Sequence, residues 1–384
     1  MQHIRVGVDA NEVEQALFIS SSLYRESGFS GLHPLAISRI SAVETICRAL
    51  GWIDHKNYRE CAPADIETLS KFHSRDYLEN LLRADKAGVA SIAERETYNF
   101  GTMENPLFKG VFSRAATTVG GSILGADLSL ANGVSFHPGG GTHHGKKNRA
   151  SGFCYFNDPV FAILRYFERG LRRVAYVDFD AHHGDGVEEA FSGEPDIRLV
   201  SIHEENRWPH TGRALEDSPP NAMNLPAPAQ FNDSELAFLL NECVLPYLDR
   251  FSPEAIVITC GADALADDPL SGLQLSNRAL WDAVEAVVAM APHSLVLGGG
   301  GYNPWTTARA WAGLWGRLDR HDAPQRLPQS VRDLFQTFEC DLVDEDDFNP
   351  RWMESLEDDV NEGHVRQSVK AVAHAQSRLM EDFA

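Results

Sequence analysis

The strongest constraint on this chain is the recurrence of short, β-branched apolar runs separated by stretches with helical apolar spacing. The runs, each bounded by polar residues or glycine, are Arg5–Asp9, Val134–Phe136, Arg173–Asp178, Arg198–His203, Ala255–Cys260 and Ser294–Leu297. The stretches with helical spacing include Leu35–Leu50, Asp158–Arg169, Asp233–Phe251 and Ser276–Met290, and Asp233 is a candidate helix N-cap. Strands that alternate with helices are typical of a parallel sheet covered by helices on both faces. The sequence therefore predicts an α/β fold.

The size and charge of the chain exclude several classes of protein. With 384 residues, 43% of them apolar, it can bury a real core, either as one large α/β domain or as two domains. A net charge of −21 disfavours general nucleic-acid binding. No apolar run approaches the ~20 residues of a membrane-spanning helix, and the first residues lack the pattern of a signal peptide. We therefore expect a cytoplasmic protein with neither a membrane nor a nucleic-acid partner.

Four of the predicted strands run directly into residues that can bind metals or move protons. The segments that follow these strands are His137–His144, Phe179–Asp185, Gly261–Asp268 and Gly298–Tyr302. Because ligands of open α/β sheets bind beyond the carboxyl ends of the strands, these segments are expected to meet at one edge. The sequence places a candidate functional site at that edge.

One of these segments has the spacing of metal ligands. Asp180 and His182 lie two residues apart just after a strand, so in extended backbone their side chains point to the same side. A third ligand from another strand end would complete a three-ligand site with an open position, the form that catalytic zinc takes. Asp268, which Pro269 follows, is our candidate for that ligand. Each acid alone is explained equally well by a solvated loop, but the density of potential ligands over residues 178–185 favours a metal site.

Two adjacent histidines, His143 and His144, lie in a glycine-rich turn. Neighbouring imidazoles both need polar partners, so they are poorly suited to filling a core. Asp178 and Asp185 flank the metal candidates, and we predict that each orients one of the histidines. Such a pair raises the basicity of the imidazole, as a general base for a metal-activated water requires. The alternative is that both histidines lie on the surface.

The last segment, Gly298–Gly301, ends at Tyr302. Consecutive glycines permit positive φ values and close backbone approach. The sequence holds no GxxxxGK[ST] phosphate loop, so a tyrosine hydroxyl presented to an oxyanion fits better, although a structural turn would explain the glycines alone. Taken singly, Phe153 and Trp208 are more often core residues.

Four segments in this order resemble the zinc-dependent histone deacetylase superfamily, with the class I-like and AcuC-type bacterial deacetylases as the nearest type. They are GGGTHHGKKNRASGFCYFND (139–158), YVDFDAHHGDGVEEAF (176–191), GADALADDPLSGLQLS (261–276) and LGGGGYNPWTTARAW (297–311). The resemblance implies the arginase/deacetylase fold, a single domain with a central, mostly parallel sheet of about eight strands and helices on both faces. We predict a catalytic domain over residues 1–320 and a C-terminal extension over 321–384, acidic and packed partly on the same domain.

The resemblance also implies a role for each matching residue of the site. Asp180, His182 and Asp268 match the zinc ligands of the family. His143 and His144 match its catalytic histidines, and Asp178 and Asp185 match their carboxylate partners. Tyr302 matches the tyrosine that polarises the acyl carbonyl. Substrate-binding positions match Gly152, Phe153, Trp208 and Leu275 along the acyl-lysine tunnel and its rim, Glu104 at the substrate backbone, and Arg39 near an internal channel for the released acetate. Family members often bind K⁺ as well, at positions that match Asp178, Asp180, His182, Ser201 and Ile202.

The implied reaction is hydrolysis of the amide bond of an acylated lysine or a related acylated amine, with one Zn²⁺ per chain. A metal-activated water attacks, the tandem histidines act as general base and acid, and Tyr302 donates to the oxyanion. Three residues depart from the usual family pattern: Thr142 replaces a bulkier residue, Trp208 replaces a phenylalanine, and Glu104 stands where class I members have an aspartate.

Two other functions fit parts of the pattern. A binuclear Mn²⁺ hydrolase of the arginase type shares the fold and a similar Asp-Ala-His motif, but it needs further carboxylates in place of the tandem histidines and Tyr302. A scaffolding protein would keep the fold without turnover, yet every residue that the chemistry needs is present. Metal stoichiometry tests the first alternative and a turnover assay the second. The sequence leaves open self-association and the choice of Zn²⁺ over Fe²⁺ or Co²⁺.

Overall fold

The computed structural model describes residues 15–25, 33–35, 38–213 and 218–381. At its centre is an eight-stranded sheet with the strand order β2-β1-β3-β8-β7-β4-β5-β6. All neighbouring strands in this sheet are parallel. The predicted α/β fold with one central, mostly parallel sheet is confirmed.

The elements follow one another in an alternating order over most of the chain. The strands are β1 (Leu17–Ser20), β2 (Tyr58–Glu60), β3 (Val134–His137), β4 (Val174–Asp178), β5 (Ile197–Glu204), β6 (Ala222–Ala227), β7 (Ala255–Thr259) and β8 (His293–Leu297). The α-helices are α1 (Arg39–Ala49), α2 (Ile66–Leu69), α3 (Arg75–Ala87), α4 (Ile92–Tyr98), α5 (Val111–Asn132), α6 (Asp158–Glu168), α7 (Asp185–Ala190), α8 (Asp233–Leu239), α9 (Leu245–Phe251), α10 (Asn277–Val288), α11 (Pro304–Leu318), α12 (Gln329–Phe335) and α13 (Gln367–Glu381). A π-helical segment, Leu240–Val244, joins α8 to α9, so the predicted helix over 233–251 is continuous but not purely α-helical.

The inner strands are covered on both faces, which is why they read as continuous apolar runs. Every residue of β4 and β7 is buried. Along β4, Ala175 and Val177 pack in one hydrophobic cluster with α10 and α11, whereas Val174 and Tyr176 pack in another with α5 and α6. The helices therefore form a layer on each side of the sheet.

Some local predictions are corrected by the structure. The N-cap of α8 is Asn232, whose side chain accepts a hydrogen bond from the Glu235 amide, so Asp233 is the first helical residue rather than the predicted cap. Asn232 takes the cap because its backbone is extended, while Asp233 already has helical geometry. The predicted strand Arg5–Asp9 lies outside the described residues.

Three strands were not predicted from the sequence. β1 and β2 have only four and three residues. β6 reads Ala-Met-Asn-Leu-Pro-Ala, which carries two residues disfavoured in strands. The sheet tolerates Pro226 because β6 is an edge strand, where one side of the backbone is not needed for pairing.

The C-terminal segment packs on the same core as the sheet. Seven of its buried apolar residues belong to the largest hydrophobic cluster: Leu327, Val331, Phe335, Trp352, Leu356, Val369 and Ala373. The guanidinium of Arg309, buried in α11, lies 2.7 Å from the carboxylate of Asp358. The division of the chain at residue 320 stays a prediction. Among the described helices, none has the length and apolarity needed to cross a membrane.

Candidate active site

The predicted meeting of four segments at one edge of the sheet is explained by the strand order. β3, β8, β7 and β4 are consecutive neighbours, all parallel, so the loops that leave their carboxyl ends emerge side by side. These loops carry the histidine turn, the glycine-rich loop, the segment ending at Asp268 and the segment containing Asp180. The order of these segments along the chain is different, and only the crossover topology makes them neighbours.

A cluster of three potential metal ligands lies at this edge. One ligand atom each from Asp180, His182 and Asp263 fall within 4.8 Å of one another, and all three residues are buried. The sequence pattern predicted Asp180 and His182 as ligands but indicated no role for Asp263. Asp263 does lie in one of the segments that follow a strand, four residues after the end of β7. Asp263 lies in a 3₁₀ turn, Ala262–Ala264, where strand alternation gives no direction for the side chain.

Asp268, the predicted third ligand, lies beside this cluster and is buried. Its carboxylate accepts hydrogen bonds from the Tyr302 amide at 2.7 Å and the Leu270 amide at 2.9 Å. Burial and the charge of Asp263 raise the pKa of Asp268. Burial and the charge of Asp180 raise the pKa of Asp263 as well. Such crowding of buried carboxylates is what a bound cation would relieve.

Each of the tandem histidines is hydrogen-bonded to one of the predicted aspartates. In the inner pair, His143 Nδ1 lies 2.7 Å from Asp178 Oδ2; in the outer pair, His144 Nδ1 lies 2.8 Å from Asp185 Oδ1. Burial lowers the pKa of His143, but the charges of Asp178 and Asp180 outweigh it and raise that pKa to about 9. Burial and the neighbouring His143 lower the pKa of His144 to about 3. The neighbouring charges therefore move the pKa values of the two imidazoles in opposite directions.

The turn that carries the histidines is clamped at both ends by Asn157 and Asp158. The carboxylate of Asp158 accepts from the amides of Gly141 and Thr142, at 3.1 and 2.7 Å. The amide group of Asn157 donates to the carbonyls of His143 and Gly145, at 3.1 and 2.9 Å. This pair fixes the backbone on both sides of the imidazoles.

The glycine-rich loop is held so that Tyr302 projects into the site. Gly299 and Gly301 have φ values of 140° and 139°, which side-chain-bearing residues rarely adopt. The Gly300 amide donates to Asp180 Oδ2 at 2.6 Å, and the guanidinium of the half-buried Arg39 donates to the Gly301 carbonyl at 2.8 Å. Burial raises the pKa of Tyr302 well above its usual value, so its hydroxyl stays protonated.

These groups open into a cavity of about 570 Å³. Its lining includes His144, Gly152, Phe153, His182, Trp208 and Tyr302. The Trp208 ring lies 4.6 Å from the His144 ring, and the Phe153 ring lies 6.0 Å from the Tyr302 ring, between centroids. A Cβ at Gly152 would come within 2.4 Å of Trp208 and 2.5 Å of His144, so only glycine fits between them.

The rim of the cavity differs from expectation at one residue. Leu275 was predicted there, but it is 2% exposed and packs in the core, where it pairs with Leu265. Leu270 lines the cavity instead, because the chain turns back into the core before residue 275. Glu104, predicted to contact the substrate backbone, lines the cavity, and its carboxylate accepts from the Gly152 amide at 2.6 Å.

Two further predictions concern the interior of the molecule. Arg39 lines a separate cavity of about 90 Å³, together with Tyr24, Arg114 and Thr142. The positions that match the K⁺ site follow or lie on neighbouring strands, and the register pairs Asp178 of β4 with Ser201 of β5. Both Ser201 and Ile202 are buried.

Comparisons with known proteins point the same way as the geometry. Residues 33–318 match the family model described as a histone deacetylase domain. The chain is 31% identical over 332 residues to acetoin utilization protein AcuC of Bacillus subtilis (82% of this chain, 85% of the relative). It is 33% identical over 300 residues to histone deacetylase 8 of Danio rerio (76% and 79%). The crystal structure of a histone deacetylase homologue from Aquifex aeolicus superimposes with a TM-score of 0.88 at 32% identity, covering 94% of this chain and 100% of that one.

Proposed function

Because this chain belongs to the histone deacetylase family, as its sequence motifs predicted, we propose that it is a zinc-dependent deacylase. Its reaction would be hydrolysis of the amide bond of an acylated lysine or a related acylated amine. One observation carries the proposal: an Asp–His–Asp cluster, two histidine–aspartate pairs and a buried tyrosine lie together, and His182, His144 and Tyr302 from these groups line one cavity. General bases, oxyanion donors and metal ligands are the three components of metal-assisted amide hydrolysis.

The donor set fits zinc. Two carboxylates and one imidazole leave positions open for water and substrate, as in catalytic zinc sites. The sequence and the geometry both indicate Asp180 and His182 as ligands. For the third ligand, the sequence indicates Asp268 and the geometry indicates Asp263. When bound there, zinc would polarise the acyl carbonyl and lower the pKa of a water molecule.

The outer pair supplies the base. With its Nδ1 hydrogen-bonded to Asp185, neutral His144 keeps Nε2 to take a proton from the attacking water and to return it to the leaving amine. Protonated His143 places positive charge beside the charge that develops on the substrate. The Tyr302 hydroxyl donates a hydrogen bond to the oxyanion as the carbonyl becomes tetrahedral.

The cavity supports the choice of substrate. Its aromatic walls, Phe153 and Trp208, suit a linear methylene chain, and Gly152 allows that chain to pass close to the backbone. Glu104 braces this wall through the Gly152 amide. We also propose that K⁺ binds at the matched positions on β4, just after it and on β5, where it would stabilise the segment after β4 that carries Asp180.

The test is hydrolysis of a panel of fluorogenic acyl-lysine peptides beside acetylated polyamines. We expect chelator-sensitive release of the acyl group by the wild type, one zinc per chain, and near-complete loss of turnover in Tyr302→Phe. The lysine-deacylase proposal would be wrong if metal-loaded wild type hydrolysed no acyl-lysine peptide, and two metals per chain would favour the arginase-type alternative. Zinc content of Asp263→Ala and Asp268→Ala identifies the third ligand.

A further inference from the structure

The two oxygens of the Asp185 carboxylate have different partners. Oδ1 lies 2.8 Å from Nδ1 of His144, and Oδ2 lies 2.7 Å from the ammonium nitrogen of Lys146. We propose that Lys146 is a positioning residue that fixes the carboxylate of Asp185 and thereby the orientation of the His144 ring. The inference rests on the proposed function, in which His144 is the base, and it assigns a role to a residue outside the cavity lining.

The carboxylate of the inner pair, Asp178, is held by more protein groups than the carboxylate of Asp185. Asp178 is completely buried at the end of β4, and its oxygens accept from the Asp180 amide at 3.0 Å and the Tyr176 hydroxyl at 2.7 Å, besides His143. A backbone amide and a core tyrosine therefore hold it. Asp185 is the first residue of the six-residue helix α7. The polar side chains that contact its carboxylate in the described structure are His144 and Lys146.

Lys146 is itself well anchored for this task. Its backbone amide donates to the Arg149 carbonyl at 3.0 Å, and its carbonyl contacts Nδ1 of the buried His73 at 3.0 Å. Only 17% of its side chain is exposed. The ammonium group also lies 2.9 Å from Glu189, which is one helical turn from Asp185 and on the same face of α7.

Lys146 therefore connects the histidine turn to α7 through its contacts with the carboxylates of Asp185 and Glu189. Without the ammonium group, Oδ2 of Asp185 would lose its partner and the carboxylate would be free to rotate about its side-chain bonds. The hydrogen bond to His144 would then hold the ring less firmly. Because Lys146 does not line the cavity, substrate binding should be unaffected.

Three variants test the proposal: Lys146→Met, which keeps the unbranched stem and removes the charge; Lys146→Arg, which keeps the charge; and Lys147→Met as the matched control. Lys147 is adjacent and exposed. We expect Lys146→Met to lower kcat by about tenfold, the effect typical of losing a residue that orients a catalytic ligand, with KM within twofold of wild type. Lys146→Arg should recover most of the rate, and Lys147→Met should match wild type.

A second measurement does not depend on turnover. In zinc-loaded protein with ¹⁵N-labelled histidine, the Nδ1 proton of His144 should give a downfield NMR signal because it is hydrogen-bonded to a carboxylate. Lys146→Met should broaden or shift this signal, and Lys147→Met should not. The signal is assigned by its loss in His144→Asn.

The outcomes separate the two proposals. An unchanged His144 signal in Lys146→Met, or a loss of rate that Arg fails to recover and that parallels a fall in the unfolding temperature, overturns the positioning role. A wild type that hydrolyses none of the amides, while its His144 signal responds to Lys146→Met, overturns the proposed function and leaves the positioning role standing.

Discussion

The inner and outer histidine–aspartate pairs have the same composition and nearly the same hydrogen-bond length, 2.7 and 2.8 Å, yet the pKa values of their histidines shift in opposite directions. The pKa of His143 is raised to about 9, and the pKa of His144 is lowered to about 3. The inner imidazole faces two carboxylates, Asp178 and Asp180. The outer imidazole faces the cation His143, and its own carboxylate is shared with Lys146. Burial lowers both pKa values, and the charges within a few ångströms, rather than the pair itself, make the two net shifts opposite.

The largest expected difference between the pairs is in catalysis. We expect His144→Ala to lower kcat by about 1,000-fold, because the group that accepts the proton of the attacking water is lost. His143→Ala should cost about tenfold to 100-fold, because a charge beside the substrate is lost while the base remains. Steady-state kinetics on an acetyl-lysine peptide, with zinc content measured for each variant, checks both values. Equal losses would mean that the two histidines share the role of base.

Breaking the inner pair should destabilise the folded protein more than breaking the outer pair, the reverse of the order expected for catalysis. Asp178→Asn breaks a fully buried pair and should lower the free energy of unfolding by about 3 kcal/mol. Asp185→Asn should cost about 1 kcal/mol, because solvent and Lys146 reach that carboxylate. Urea denaturation of both variants at pH 7 gives the comparison. A larger loss for Asp185→Asn would contradict it.

A third histidine, His73, shows the effect of burial on a histidine pKa without a carboxylate partner. It lies beneath the histidine turn, bonds only backbone groups there, and burial lowers its pKa to about 3. An unfolded chain would protonate this residue below pH ~6.5 while the folded protein does not, so stability falls as the pH falls from about 6.5 towards 3. In His73→Gln, the free energy of unfolding should decrease less steeply as the pH falls, by up to ~1.4 kcal/mol per pH unit. Denaturant midpoints between pH 4 and pH 7 test it, and an unchanged slope would contradict the assignment.

The smallest expected effect concerns Trp208, the aromatic wall residue beside the outer histidine. Trp208→Phe widens the cavity beside His144 and should raise kcat/KM for an acyl chain one methylene longer by about fourfold, matching the ~0.8 kcal/mol gained on burying one methylene. The rate for the acetyl peptide should stay within about twofold of wild type on the same scale. The acyl-peptide panel measures both. A longer-chain preference identical to that of wild type would show that Trp208 does not set the width.

Much of the molecule could be predicted from the sequence, for reasons that individual elements make clear. β4 and β7 are buried on both faces, so their apolar runs identified them directly. β6 escaped detection because Asn224 and Pro226 break its apolar pattern, and pairing with β5 compensates. Leu275 was placed at the rim by resemblance, but the turn after Asp268 brings Leu270 there.

The sequence by itself determined the kinds of side chain that leave each strand and hence the chemistry available: imidazoles, carboxylates and a tyrosine at the ends of four predicted strands. The tertiary structure decided which of these groups interact. Asp178, Asp185 and Lys146 act on the two imidazoles across gaps set by the strand order and the position of α7, and Asp263 joins Asp180 and His182 through the pairing of β4 with β7. Electrostatic energy depends on distance and burial, which are fixed only when distant parts of the chain pack together, so identical neighbours in sequence acquire opposite pKa shifts.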